Sequence, residues 1–219
     1  MSGDNYMDQP SNNNITKITS PKTDDRAHIE KWNAVMIDIE TLSLADNAAI
    51  IAIGAVEFAY DGDRDAPFLN TFYVNCFVPP AAVGSFNVDY ETVMWWMKQD
   101  DKARAKLQDP APVELPLALE SLGSWMQATP HYHVWTRGSL DWRALNYAAQ
   151  VWQFDWRLNQ YMLRDARTLD FFVEPAFKQQ MSHTHLAHDA LEDATKQART
   201  VMHALQRFPD VLKAMAATD

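Results

Sequence analysis

The chain has 219 residues and a single cysteine, Cys76. An internal disulfide is therefore excluded, and a reducing, cytosolic setting is expected. No apolar run approaches the roughly 20 residues needed to cross a bilayer, and the first thirty residues hold no basic-then-apolar leader pattern. No membrane partner is expected. Basic side chains are also scarce, 19 Lys and Arg against 29 Asp and Glu, for a net charge of −10. That balance excludes a protein that coats itself in nucleic acid by charge alone. It does not exclude an enzyme acting on nucleic acid, because bound divalent cations supply positive charge at the point of contact.

What is present is an ordinary globular composition, 47% hydrophobic and 22% charged, at a length most simply read as one domain. Residues 1–30 are rich in Asn, Ser, Thr, Asp and Pro and show no hydrophobic period, which predicts a disordered or loosely attached tail. Residues 31–219 are the expected folded domain and carry most of the acidity.

Within it the run Val35-Met36-Ile37-Asp38-Ile39-Glu40-Thr41 places two carboxylates two residues apart in a β-branched setting. In a strand, side chains alternate faces, so Asp38 and Glu40 point one way while Ile37 and Ile39 point into the opposite layer. Carboxylates held that close repel and lose hydration unless a cation or a shared proton sits between them. Further along, 49–58 is almost wholly apolar, as a strand covered on both faces is, and Phe68 to Val78 offers a third strand. Short connections predict an antiparallel meander. A helix is predicted from a cap at Asp89 to about Leu107, burying Val93, Trp96 and Met97. A connector with three prolines follows over 109–116, then an amphipathic helix through Leu119, Leu122, Trp125 and Met126. His131 to Trp135 is the predicted fourth strand and Tyr161 to Leu169 the fifth, with a helix beginning near Asp141 between them. A poorly patterned stretch leads to Leu186. Asp189 with Glu192 forms a capping box for a last helix that runs to about Arg207. The order predicts an α/β domain with a mixed five-stranded sheet flanked by helices.

Three blocks occur in order: Asp38-Ile39-Glu40-Thr41, Ser139-Leu140-Asp141 at a strand-to-helix turn, and His188 five residues before Asp193 at the start of the last helix. Each alone is a weak signal, since an Asp near a helix start is most often a cap. Together they resemble the four-carboxylate, one-histidine signature of the DEDDh exonucleases, the proofreading and RNase T-like superfamily with the RNase H-like fold. Thr92-Val93-Met94-Trp95-Trp96, followed by Gln99 and Ala103-Arg104, is similar to a helix of the phage exonuclease A and RNase AS branch. The tyrosine subtype does not fit, because Asp189 stands four residues before Asp193.

The resemblance implies a metal-dependent 3′ to 5′ exonuclease acting on single-stranded DNA or RNA ends and releasing nucleoside 5′-monophosphates. It implies two Mg²⁺ or Mn²⁺ ions held about 3.5–4 Å apart by hard oxygen ligands from Asp38, Glu40, Asp141 and Asp193. His188 would serve as general base, a role its near-neutral titration suits; His183 and His185 stand nearby as alternatives. Thr41 and Leu42 are candidates to meet the terminal nucleotide, Ser139 and Arg137 to touch phosphate, and Arg164 and Arg167 likewise. Trp95 is a candidate for stacking on a base, whereas Trp96 at helical spacing reads as core. A homodimer is a further implication of the resemblance. A binding module that kept this fold without turnover is the alternative reading.

Overall fold

The structure, a computed structural model, describes residues 33–66, 68, 70–106, 108–128, 133–155, 160–184 and 188–210. Residues 1–32, which include the expected tail, lie outside them. The β-branched runs form the predicted meander: β1 (Asn33–Thr41), β2 (Ile50–Ala59) and β3 (Thr71–Phe77) pair antiparallel in sequence order. Two further strands, β5 (His133–Thr136) and β6 (Leu163–Asp165), extend the other edge in parallel with β1. The sheet has six strands rather than five, in the order β4-β3-β2-β1-β5-β6. The additional β4 is Val113–Glu114, two residues inside the proline-bearing connector that pair with Cys76 and Phe77. Proline confines such a segment to a sheet edge, where this one lies.

The alternation of β1 separates two layers. Val35, Ile37 and Ile39 join Ile53, Ala55 and Phe72 on one face, covered by α3 (Leu115–Gln127) and α4 (Leu140–Val151). Ala34 and Met36 join Val56 and Phe58 on the other, covered by α6 (Ala190–Gln206) through Ala194, Ala198, Val201 and Met202. Asp38 and Glu40 have the parity of this second face, so they emerge where α6 begins.

Several expectations shift. The single helix expected from Asp89 is two, α1 (Tyr90–Met97) and α2 (Asp101–Lys106). Asp89 caps the first by accepting from the Thr92 N–H at 2.9 Å, and Asp100 starts the second by accepting from the Ala103 N–H at 2.8 Å. An Asp that competes for backbone amides favours a new helix start over an uninterrupted helix. Only Leu163–Asp165 of the expected fifth strand is extended, and turns of 3₁₀ helix flank it over Gln160–Met162 and Ala166–Phe172. The unpatterned stretch before Leu186 contains a helix, α5 (Pro175–Thr184). It opens on proline, a favoured first helical residue. Asp189 caps α6 as expected, its Oδ1 accepting from the Leu191 and Glu192 N–H groups at 3.1 Å each. No described helix is long and apolar enough to cross a membrane.

Candidate active site

The site is built by bringing the start of α6 down onto β1. Asp38 lies opposite Gly54 in the β1/β2 register. A Cβ at Gly54 would lie 2.2 Å from the Ala190 carbonyl carbon and 2.3 Å from the Leu191 nitrogen. Only the missing side chain at residue 54 lets the first turn of α6 reach the strand beside Asp38. As a result, ligand oxygens of Asp38, Glu40 and Asp193 all lie within 4.8 Å of one another.

Asp141 arrives from the other layer, in the first turn of α4. Parallel pairing of β1 with β5 ends at Met36, opposite Trp135. Beyond it the Ile39 N–H donates to Asp141 Oδ1 at 3.3 Å. Asp141 therefore stands beside the group of three, held by the amide between the two strand acids. The turn that delivers it uses Gly138 at φ 93°, whose N–H donates to Asp165 and over which the Arg167 guanidinium lies.

His188 precedes α6 in the left-handed region, φ 61°. Its backbone N–H donates to Asp193 Oδ2 at 2.9 Å. Its ring packs edge-on against Trp95, with centroids 4.6 Å apart, and more distantly against Trp96 at 6.0 Å. Trp96 is buried and donates its indole N–H to the Thr41 carbonyl at 2.9 Å, while Trp95 is 41% exposed. The core reading of Trp96 holds, and Trp95 is partly exposed. Thr41 is buried with its hydroxyl donating to the Ser43 carbonyl, and Leu42 is partly buried against the α3/α4 layer. Ser139 is exposed and makes no capping bond.

The other expected phosphate contacts divide. Arg137 forms a two-toothed pair with Asp170, at 3.1 and 3.0 Å, and Arg164 donates to the carbonyls of Tyr161 and Leu163. The side chain of His183, and His185 altogether, lie outside the described residues. One polar contact has no counterpart in the motif: Gln197 donates its amide N–H to Asp38 Oδ1 at 2.7 Å and is itself buried. It stands one helical turn beyond Asp193, on the same side of α6. That spacing was the one available signal for it, and it is visible only once Asp193 is known to face the strand.

The electrostatics follow from crowding acids out of water. The Asp38 carboxyl is held well above its ordinary range, first by burial and then by Asp141, Glu40 and Asp193, with the Gln197 bond opposing. Burial together with Asp193, Asp189 and Asp141 pushes Glu40 up to about 8. Burial raises Asp141 to about 7 against the Ile39 N–H, and raises Asp193 against the His188 N–H and Lys196. Without a counter-charge Glu40 and Asp141 hold protons near neutrality, and Asp38 and Asp193 give theirs up less readily than free carboxyls do. A set of hard oxygen donors in that condition fits a divalent cation such as Mg²⁺ or Mn²⁺, which thiolate or imidazole sites would not favour.

A mixed sheet whose central strand turns two acids toward a carboxylate at the start of the last helix has the architecture of the DEDD exonucleases, a class of nucleases. The chain belongs to the family of 3′-5′ exoribonuclease Rv2179c-like domains, whose model matches residues 33–205. Among solved structures it is similar to the RNase domain of the yeast Pop2 protein, at 12% identity over 84% of this chain and 80% of that one. The TM-score of 0.51 supports a shared fold. No curated protein matches the chain.

Proposed function

We propose that the protein is a divalent-metal-dependent 3′ to 5′ exonuclease of single-stranded nucleic acid that releases nucleoside 5′-monophosphates. The observation that carries this reading is the meeting of Asp38, Glu40 and Asp193 within 4.8 Å, at a point where all three resist ionisation without a cation. Asp38, Glu40, Asp193 and the adjacent Asp141 would hold Mg²⁺ or Mn²⁺. When bound, the ions supply charge stabilisation at the scissile phosphate and acidify the attacking water.

The remaining roles fall to the chain itself. His188 takes the proton of the attacking water, and its backbone bond to Asp193 ties that base to the ligand cluster. Trp95, partly exposed beside His188, stacks on the terminal base, and Thr41 and Leu42 at the end of β1 meet the same nucleotide. Ser139 offers an uncommitted hydroxyl at the start of α4. The description of the family as exoribonucleases favours RNA over DNA, and the paired tryptophans of α1 support a place near the phage exonuclease A and RNase AS branch. Residues 31–219 form the catalytic domain in this reading.

Digestion of matched 5′-labelled DNA and RNA single strands tests it, with wild type beside Asp38→Ala and with or without Mn²⁺. Stepwise shortening from the 3′ end, faster on RNA and abolished by Asp38→Ala or by chelation, is the expected result. Intact 3′ ends on both strands in Mn²⁺ would sink the proposal.

A further inference from the structure

A cavity of about 380 Å³ opens against the carboxylate cluster, within the roughly 300–1,000 Å³ range of pockets that take small ligands. Asp38 and Asp193 are part of its lining. Lys196, Gln197 and Thr200 continue the wall along α6, and Arg137, Asp170 and Met181 complete the lining. Glu40, Thr41, Leu42, Trp95 and His188 do not line it. The cavity therefore meets the cluster on a side other than the one that His188 and Trp95 occupy.

A phosphodiester under attack has two sides as well. If the terminal nucleotide lies against Thr41, Leu42 and Trp95, the strand that remains after cleavage leaves on the opposite side. We infer that this cavity receives the sugar-phosphate of the nucleotide next to the scissile bond on the retained strand, with Lys196 and Arg137 contacting its phosphate. The inference rests on the exonuclease reading above and assigns a subsite to it.

The charges facing the cavity fit that occupant. Arg137 already neutralises Asp170 through two N–H groups and keeps others for a phosphate oxygen. Asp38 and Asp193 are the acids a divalent cation would cover. Lys196 projects from the turn after Asp193 and supplies a compact positive charge on a flexible stem. The Thr200 hydroxyl donates back to the Lys196 carbonyl at 2.8 Å, which leaves the phosphate contact to the two cations.

Two substrates separate the two sides. The p-nitrophenyl ester of a nucleoside 5′-monophosphate presents the terminal nucleotide with no retained strand, whereas a short single-stranded RNA presents both. With Mn²⁺ present, Lys196→Met should raise KM for the RNA about 5-fold more than KM for the ester, and should flatten the salt dependence of log(kcat/KM) on RNA by about 0.7, the value of one lost phosphate contact on a single strand. Lys196→Arg should restore both. Equal effects on the two substrates, or an unchanged salt slope, overturn the subsite while leaving the exonuclease reading intact. No hydrolysis of either substrate by the wild type overturns the exonuclease reading, and the subsite with it.

Discussion

Helices α4 and α6 each deliver a carboxylate from their first turn to β1, and they are anchored by different means. The start of α6 is fixed by close packing: the absent side chain of Gly54 admits its backbone, Asp189 caps it, and the His188 amide steadies Asp193. The start of α4 lacks a side-chain cap bond, and Asp141 is aimed at β1 by the amide of Ile39. The α6 anchor is steric and backbone-built, so it tolerates little change. The α4 anchor is a side-chain hydrogen bond beside a flexible arginine, which can adjust.

The sharpest test of that contrast uses the two glycines. Gly54→Ala forces a Cβ into the backbone of Ala190 and Leu191, and should cost about 3 kcal/mol by chemical denaturation together with loss of Mn²⁺ binding. Gly138→Ala meets only the end of the Arg167 side chain, so the left-handed φ is its main penalty, about 1–2 kcal/mol, with Mn²⁺ binding retained. Equal losses in the two variants would break the contrast.

The next effect is on pH dependence. Folding raises the Asp141 and Glu40 carboxyls to about 7 and about 8, so the folded state binds protons more tightly than the unfolded chain does. For such groups the metal-free protein is most stable in acid and loses stability as pH rises from about 4 through 8. Thermal melts in chelator should show this decline, and Mn²⁺ should oppose it increasingly toward pH 8. Asp141→Asn should remove its share of the decline, which runs from about pH 4 to about 7, and leave the share of Glu40, which burial and the acids at the start of α6 extend to about 8. A metal-free melting temperature that rises across this range would contradict the crowding of the acids.

The smallest expected effect concerns Gln197. Gln197→Leu removes the donor to Asp38 while keeping an apolar side chain in place, and should weaken Mn²⁺ binding about 10-fold by calorimetry, the usual scale for a residue that orients a metal ligand. An unchanged Mn²⁺ affinity would show that packing alone orients Asp38.

The sequence made some of this legible and hid the rest for definite reasons. The alternation of β1 is a period-two pattern, so the facing of Asp38 and Glu40 was readable from seven residues. Asp89 and Asp189 announced helix starts because capping is local chemistry. A two-residue strand such as Val113–Glu114 is too short to carry any period, and among the described side chains of α5 only Met181 is buried, which is no apolar stripe. The break between α1 and α2 rests on Asp100, one of several acids in a polar run. The roles of Gly54 and Gln197 depend on which helix lands on which strand, which no local pattern encodes.

The Asp38–Gln197 bond joins residues 159 positions apart. Early segments of the chain can pair β1 with β2 and begin a core as they leave the ribosome, yet the acids of β1 lack their partners until residue 197 has emerged. Competence is thus tied to completion: a truncated chain that keeps the strand pair but lacks α6 carries two crowded carboxylates and no assembled site.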